Sequence, residues 1–345
     1  MTVRIIDDKS LWDDFIEKSP HGLLFHRWDF LKIMEKYSGM KLLPYGIYKG
    51  SELICLFPLF FRRANGLKIL YSPPMQVLLY VPHLGFVMNQ NFATLKQNKK
   101  EGYLEIVATE MEEEIAKIGS NYTSISTSPG LDDMRSFAWG GYTLKPQYGY
   151  VINLEYSLDD LWNRLAKKLR SNIMAVEKQS GSLRLEAVND PEKVFEIMRD
   201  KLSAYGQTFY HCQSPDYLRD LIAAFPDNVK IYFLYDREEL KFAIVTTEYK
   251  DRMLLWMGGT HLDDSHYPDY VYWELIKKAK ADGLKICENW GADTKRLCPY
   301  KAKYNPSLEL CFELSKKDAV GTLAGWAFFK ALEIPLVKTV LLKAF

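Results

Sequence analysis

The first third of the chain alternates between two hydrophobic patterns. Apolar residues recur at three- and four-residue spacing in two short segments, which predicts amphipathic helices over residues 10–18 and 27–37. The runs LLPYGIYKG and ELICLFPLFFRR meet at Lys49-Gly50-Ser51, and this pattern predicts a β-hairpin. The remaining predicted elements of this part are extended stretches at 67–71 and 77–88, a helix over 102–118, and the strand SISTSPG.

The second half contains the clearest helical pattern. A strand over residues 143–155 leads to SLDDLWNRLAKKLRSNIMAVEKQSG, where Ser157 is a good N-cap and Gly181 a good stop, so one helix is predicted. The elements predicted after it are the strand LRLEAV, helices over 191–205 and 215–224, the strands VKIYFLYDR, ELKFAIVTTEY and RMLLWMGGT, the helix PDYVYWELIKKAKADG, the strand LKICENWG, and SLELCFELS, which we expect to close the sheet.

The two halves share one order of elements: helices, antiparallel strands, a helix and a final strand. No repeat is visible at the level of individual residues. The layout predicts two copies of one α+β domain, an N-terminal domain over 1–150 and a C-terminal domain over 151–316, followed by an apolar tail over 317–345.

Composition narrows the class of protein. Of the 345 residues, 48% are hydrophobic and 26% charged, as in folded globular proteins. The formal net charge of +1 gives no global attraction to nucleic acid, so a polyanion would need a local basic patch. The five cysteines form no CxxC pair, and the N-terminus has no apolar run of signal-peptide length. We therefore expect a cytoplasmic protein.

The tail GTLAGWAFFKALEIPLVKTVLLKAF is nearly all apolar but is interrupted by charges. Its uncharged run, residues 319–329, is shorter than the roughly 20 residues that a spanning helix needs. Two interpretations stay open: residues 319–345 lie on the inner face of a membrane, or they pack against the protein itself.

Several classes of site are absent from the sequence. The six histidines form no HxxH, HExxH or Cys/His cluster at metal-ligand spacing, so no metal site is predicted. No P-loop, GxSxG or GxGxxG motif occurs. The sequence therefore offers little support for a nucleotide hydrolase, a serine hydrolase or a dinucleotide enzyme, and we expect no bound cofactor.

Several short motifs resemble one family when they are taken in order. In the second half these are KKLRSNI (residues 167–173), YPDYVYWELIKKAKADG (267–283), ENWGAD (288–293) and the pair Tyr300-Lys301. The opening SPHGLLFHRWDFLKI (19–33) is similar to the N-terminal signature of the same family. Over residues 1–316 the chain thus resembles the FemAB/FemX branch of the GNAT-like acyltransferases, which are peptidoglycan-bridge aminoacyltransferases.

The resemblance implies a fold and an activity. The fold would be two tandem GNAT-like domains, with mixed, mainly antiparallel sheets flanked by helices and an acceptor held between the domains. The activity would be transfer of an aminoacyl or acyl group onto an amine. Lys301 would be the catalytic residue, an ammonium that stabilises the oxyanion of a tetrahedral intermediate, with Tyr300 packed beside it. Composition alone favours a solvated lysine on a basic loop with Lys295, Arg296 and Lys303.

The resemblance also implies residues that bind substrate. Lys32 and Arg170 correspond to basic residues that hold acidic parts of the acceptor. Tyr217 and Trp256 are candidates for lining a pocket, although such aromatic residues more often lie in a core. Lys32 has a competing interpretation as a lysine on a helix flank. Gln213 and Tyr217 stand where the family carries a basic cluster, which argues against a nucleotide-diphosphate acceptor.

The acyl donor and the partners remain open between alternatives. Aminoacyl-tRNA is the donor that the resemblance implies, yet the chain has no counterpart of the family's coiled-coil arm. Acyl-CoA, the donor of GNAT N-acetyltransferases, is the main alternative. Against it stand the acids Asp263, Asp264 and Asp269 around the expected pyrophosphate site, which has only Gly258-Gly259. The acceptor would be an amine-bearing small molecule, a peptide or an envelope precursor.

A third alternative is a membrane-associated binding protein without catalytic activity, for which the apolar tail is the main support.

Overall fold

A computed structural model describes residues 1–74, 81–179, 181–204, 214–260, 266–293 and 295–332. The chain divides into two compact units. The described residues of Met1–Gln147 and Leu310–Phe345 form the first unit, and those of Tyr148–Phe209 and Gln213–Glu309 form the second. Residues 77–80 of the predicted extended stretch at 77–88, and residues 333–345 at the end of the tail, lie outside the described residues.

The helices and strands follow the predicted order. In chain order they are β1 (Thr2–Ile5), α1 (Lys9–Lys18), α2 (Trp28–Ser38), β2 (Lys41–Lys49), β3 (Glu52–Ala64), β4 (Leu67–Ser72), β5 (Val87–Met88), α3 (Gln97–Ile118), β6 (Tyr122–Ser126), α4 (Arg135–Trp139), β7 (Thr143–Asn153), α5 (Leu158–Arg164), α6 (Lys167–Gln179), β8 (Leu183–Val188), α7 (Pro191–Ala204), α8 (Pro215–Ala224), β9 (Val229–Asp236), β10 (Glu239–Tyr249), β11 (Arg252–Thr260), α9 (Tyr267–Ala281), β12 (Ile286–Asn289), α10 (Cys298–Lys301), β13 (Ser307–Lys317) and α11 (Ala319–Leu332).

The first unit contains a mixed sheet in the order β1-β2-β3-β4-β6-β13. Its strands pair antiparallel except for β4 and β6, which run parallel. A core cluster around Ile54, Phe57, Phe86 and Met111 covers one face of this sheet. Residues Glu313–Lys317 of β13 pair with β6 in this sheet.

The second unit repeats this plan in the order β7-β12-β11-β10-β9-β8. Here β11 and β12 form the parallel pair, and the other pairings are antiparallel. Its core is built around Leu169, Ile173, Leu275 and Ile276, which bring α6 and α9 together. The predicted α+β class, with mixed and mainly antiparallel sheets, is confirmed.

The long helix predicted over residues 157–181 is two helices. Ser157 caps α5 as expected, because its hydroxyl accepts from the amide of Asp160. The chain then becomes extended at Leu165, and the amide of Ala166 donates to the carbonyl of Lys303 at 2.9 Å. The break thus ties the start of α6 to the segment that follows α10, while Leu165 and Leu169 both stay buried.

The apolar segment at the C-terminal end begins as the helix α11. Gly321 lies so close to Asn121 that a Cβ there would be 1.9 Å from the Asn121 carbonyl oxygen, so the first turn of α11 packs on the first unit. Val320 and Leu323 are exposed. Within the described part of the chain, no helix is long and apolar enough to span a bilayer.

Candidate functional site

The parallel strands β11 and β12 separate along the second sheet. Their pairing covers Arg252–Leu254 against Ile286–Glu288. Beyond Leu254, β11 runs on to Thr260 while remaining paired with β10 on its other side, whereas β12 ends at Asn289. Within the described residues no strand pairs with β11 on the β12 side past Leu254. The divergence leaves an edge of backbone that an extended ligand can bind.

The corresponding place in the first unit is filled by its own chain. There β4 and β6 pair in parallel through Ser72 and Ile125. Directly beyond them, the amide of Leu84 donates to the carbonyl of Ser126 at 3.1 Å, and the amide of Gly85 donates to the Ser72 hydroxyl at 3.0 Å. The returning segment occupies the space between the strands. The candidate site is therefore in the second unit.

The side chain of Lys301 is bound at the end of β12. The side-chain ammonium of Lys301 donates a hydrogen bond to the carbonyl of Trp290, just past the end of β12. Gly291 follows with φ +93°, and a Cβ at this position would be 3.4 Å from the Lys301 Nζ. A glycine is required here, because other residues rarely adopt this φ. The strand end and α10 thus hold Lys301 next to the opening.

The environment of Lys301 brings its side chain closer to deprotonation than that of an ordinary lysine. Burial lowers the pKa of Lys301 to about 8, although Cys298 and Glu288 act in the opposite direction. Removing an ammonium from water disfavours its charged form, whereas nearby negative charge favours it. With this pKa the side chain is still mainly an ammonium at pH 7, as an oxyanion stabiliser requires.

Tyr300 lies on the inner side of the same turn. Its ring is in edge contact with Tyr272 and Tyr304, at centroid distances of 6.3 and 6.4 Å. Burial is the main reason that the pKa of Tyr300 lies far above its ordinary value, so the phenol stays neutral. The Nζ of Lys303 lies 4.4 Å from the centre of the Tyr300 ring. Tyr300 thus packs against Tyr272, Tyr304 and Lys303.

Asp269 of α9 is connected to the turn that carries Tyr300 and Lys301 through Lys303. Its side chain is buried, accepts a hydrogen bond from Asn172 Nδ2 at 2.7 Å, and lies 3.5 Å from the Nζ of Lys303. Two predictions are wrong here. Lys303 is not a solvated charge, since it pairs with a buried carboxylate. Asp269 does not repel a phosphate at the surface, because its charge faces Asn172 and Lys303; Asp263 and Asp264 lie outside the described residues.

Sequence analysis missed a buried ionic cluster beside Lys301. Arg252 donates to Glu288 at 2.8 Å and to both carboxylate oxygens of Glu309 at 2.8 Å. Glu288 is only 2% exposed. The signal in the sequence was a charged residue inside the apolar strand LKICENWG, directly before the Trp290-Gly291 pair.

The other predicted binding residues are spread over both units. Lys32 belongs to α2 of the first unit, where it is half exposed and forms an ion pair with Glu35, as a lysine on a helix flank does. Arg170 lies in the first turns of α6 and donates to the carbonyl of Asn163 at 3.4 Å. Trp256 is half buried in β11, beyond the last residue that pairs with β12, and so lies along the opening.

Tyr217 does not line a pocket. It lies in α8 and has no exposed surface, and burial holds its pKa well above the ordinary value. Tyr217 is buried together with Leu218 and Leu221 on the apolar face of α8, and its aromatic ring therefore belongs to the core of the second unit. Gln213, the neighbouring residue singled out in the sequence, lies outside the described residues.

The Gly258-Gly259 pair lies within a regular strand. Gly258 and Gly259 pair with Ile244 and Ala243 of β10. A Cβ at Gly258 would be 3.1 Å from the Phe242 ring, so this glycine makes room for the aromatic side chain. Among the described residues, no group of His, Cys, Asp and Glu side chains is arranged to hold a metal ion.

One protein-family model matches most of the second unit. Residues 163–302 match the family model described as an acetyltransferase (GNAT) domain. No curated protein matches the sequence of the chain. The matched range contains α6, α9, β11, β12 and Lys301.

Three solved structures share the fold over most of their length. FemX is similar with a TM-score of 0.67 and 12% identity, over 91% of this chain and 97% of FemX. The C-terminal domain of an Agrobacterium fabrum protein described as a lysylphosphatidylglycerol synthetase has a TM-score of 0.55 and 13% identity, over 92% and 94%. A tandem GNAT protein from the clavulanic acid biosynthesis pathway has a TM-score of 0.52 and 9% identity, over 92% and 98%.

These comparisons confirm the predicted fold class of tandem GNAT-like domains and the resemblance to the FemX fold. The prediction of an acyltransferase is confirmed at the level of the domain family. Residues 163–302 thus match the model of a GNAT acetyltransferase domain, within a chain that has a FemX-like fold.

Proposed function

We propose that this protein transfers an aminoacyl or acyl group onto the amine of an acceptor, and that Lys301 stabilises the oxyanion of the reaction. The observation that carries this proposal is the position of the Lys301 ammonium. It is half buried, it is bound to the carbonyl directly after β12, and it lies beside the opening between β11 and β12.

The chemistry requires little more than positioning and a fixed charge. The neutral amine attacks the carbonyl carbon of the donor, and a new C–N bond forms as the carbonyl oxygen becomes negative. Lys301 stabilises this oxygen. The C–O or C–S bond to the carrier then breaks. The proton lost by the attacking amine passes to the carrier, directly or through water, and the carrier leaves as an alcohol or a thiol. A single oxyanion donor supplies about 2.7 to 4 kcal/mol to such a step.

The donor enters along β11 in this proposal. The backbone of β11 beyond Leu254 can hydrogen-bond the amide groups of an extended carrier, and Trp256 packs against it. Acyl-CoA and aminoacyl-tRNA both remain candidate donors. The description of the matched family as an acetyltransferase favours acyl-CoA, and the likeness to FemX favours aminoacyl-tRNA.

The acceptor is an amine-bearing small molecule, peptide or envelope precursor in this proposal. The likeness to FemX and to a protein described as a lysylphosphatidylglycerol synthetase supports an acceptor from the cell envelope. The helix α11 begins with the exposed apolar residues Val320 and Leu323, which would suit contact of residues 319–345 with a membrane surface.

A donor screen tests this function. The purified chain is incubated with acyl-CoA thioesters or with charged tRNA, together with a panel of amines, and the products are measured by mass spectrometry. We expect a mass gain on an amine with one class of donor, and its loss in Lys301→Met. No acyl transfer from either class, in a protein that binds anionic vesicles, would favour the membrane-associated binding protein instead.

A further inference from the structure

The turn that follows β12 is bound to β7 by two hydrogen bonds. The amide of Ala292 donates to the carbonyl of Tyr148 at 2.9 Å, and the amide of Tyr148 donates to Oδ2 of Asp293 at 2.9 Å. The strand β12 itself ends at Asn289, which pairs with Tyr150 of β7. The Asp293 side chain thus supplies the acceptor that a backbone carbonyl would supply if β12 continued along β7. We call these two bonds the Tyr148 clamp.

Gly149 of β7 makes room for the indole of Trp290 in the same turn. A Cβ at Gly149 would lie 3.0 Å from Cε3 and 3.2 Å from Cζ3 of Trp290. Both distances are shorter than an ordinary contact between two carbon atoms, so a larger residue would displace the ring. The indole therefore lies directly on the β7 backbone. Because Gly149 follows Tyr148, the clamp and the indole bind the turn to neighbouring residues of one strand.

This turn contains the carbonyl that binds Lys301. The Lys301 ammonium donates to the carbonyl of Trp290, and only Gly291 separates Trp290 from Ala292 of the clamp. The helix α10 makes a second contact with the turn, because the Cys298 thiol donates to the carbonyl of Ala292 at 2.9 Å. Two carbonyls of the turn thus bind α10, and the turn itself is bound to β7. A movement of the clamp would therefore move the partner of the Lys301 ammonium.

We propose that Asp293 is a positioning residue, whose hydrogen bond with the Tyr148 amide holds the Trp290 carbonyl and the Lys301 ammonium at the end of β12. This inference rests on the proposed role of Lys301 and adds the residue that fixes its position. A turn with a glycine at its centre needs such a bond, because glycine gives the backbone a wide choice of conformations. A displacement of about 1 Å at a reacting group can cost a large part of the rate.

The alternative role for Asp293 is an electrostatic one. A carboxylate near an ammonium favours the charged form and raises its pKa, so loss of that carboxylate would lower the pKa of Lys301. The clamp, in contrast, requires only an acceptor oxygen. Asp293→Asn keeps an acceptor oxygen and removes the charge, whereas Asp293→Ala removes both. Cys298 and Glu288, the groups that raise the pKa of Lys301, are the same in both variants. The pair of variants therefore separates positioning from electrostatics.

The titration of Lys301 reports its position without an acyl-transfer assay. Trace acetic anhydride acetylates uncharged amines, so acetylation of the Lys301 peptide across the alkaline range, quantified by mass spectrometry against a free-amine standard, gives its pKa. Burial lowers this pKa to about 8, and a looser turn would expose the ammonium to water and raise the pKa towards its ordinary value. We expect the midpoint to rise by about one pH unit in Asp293→Ala and to stay within about 0.3 of the native value in Asp293→Asn.

Asp190→Ala is the matched control. Asp190 also accepts a backbone amide, that of Lys193 at 2.9 Å, but it does so at the start of α7. Its removal should leave the Lys301 midpoint unchanged. With the donor that the screen identifies, Asp293→Ala should lower kcat about tenfold and leave the KM of the donor within about twofold of the native value, whereas Asp293→Asn should keep the native rate.

The outcomes separate this inference from the proposed function. An unchanged or lowered Lys301 midpoint in folded Asp293→Ala overturns the inference, and so does an equal rise in Asp293→Asn or in Asp190→Ala. If the midpoint rises only in Asp293→Ala but Lys301→Met still turns over normally, Asp293 positions Lys301 and the catalytic proposal fails. Should Asp293→Ala not fold, Gly149→Ala moves the same turn through the indole that lies on β7. It should also raise the midpoint, and no rise contradicts the inference.

Discussion

The Nζ of Lys303 lies 3.5 Å from Oδ1 of the buried Asp269 and 4.4 Å from the centre of the Tyr300 ring. One lysine thus joins the first turn of α9 to the turn that carries Lys301. The backbone carbonyl of Lys303 also accepts the amide of Ala166 at the start of α6. Three elements of the second unit meet at this residue, which explains how a four-residue helix can hold the Lys301 side chain in place.

Removing the Lys303 charge should destabilise the second unit. In Lys303→Met the Asp269 carboxylate keeps Asn172 but loses its cation, and we expect a loss of about 2 to 3 kcal/mol in the free energy of unfolding. The double variant Lys303→Met with Asp269→Asn should recover most of this loss, because no buried charge is left unpaired. Urea unfolding of the two single variants and the double variant measures the coupling; additive effects would show that the pair contributes nothing.

Lys301→Met should reduce turnover by roughly a hundredfold while the fold is retained. Methionine keeps most of the apolar stem and removes the ammonium. Lys295→Met is the control, since Lys295 is an exposed lysine of the same loop and should leave the rate unchanged. The measurement is the steady-state rate with the donor identified by the screen, together with the thermal midpoint. Equal rates in the two variants would remove Lys301 from the mechanism.

Much of this site could be predicted from the sequence, and the reasons are local. Pro268 and Gly283 mark the ends of α9, and the apolar strand before Trp290-Gly291 predicts β12. The Tyr300-Lys301 pair after this strand was singled out by the resemblance to the FemAB/FemX family. The order of these motifs also gave the fold class.

The parts that could not be predicted depend on contacts between distant residues. The helix over 157–181 breaks at Leu165 because the Ala166 amide bonds to Lys303, which no periodicity reveals. In the sequence, Lys303 resembles a solvated lysine of a basic loop. Only the folded structure shows that it lies beside Asp269. A tyrosine can lie in a core or at a surface, and only the packing of α8 shows that Tyr217 is buried.

The rate should decline as the pH rises through the pKa of Lys301. Burial lowers this pKa to about 8, so the ammonium is present below pH 8 and is lost above it. We expect the rate at saturating substrate to fall about tenfold per unit above that pH, until the residual rate of the neutral form is reached. The assay should use an acceptor amine with a pKa below 7, so that ionisation of the acceptor does not contribute to the pH dependence of the rate. Lys301→Arg should abolish the decline, because a guanidinium stays charged above pH 12; a decline that persists in Lys301→Arg would assign it to another group.

Gly291→Ala should impair turnover more than it impairs stability. Gly291 has φ +93°, and a Cβ there would be 3.4 Å from the Lys301 Nζ, so alanine strains the backbone and places a methyl group in contact with the ammonium. The strain costs about 1 to 2 kcal/mol. Gly283→Ala is the matched control: its φ is +80°, but a Cβ there meets nothing within 4 Å. Both variants should lose similar stability in urea unfolding, and only Gly291→Ala should lose activity, by at least tenfold. Equal activity losses in the two variants would show that backbone strain, and not contact with Lys301, explains the requirement for glycine at this position.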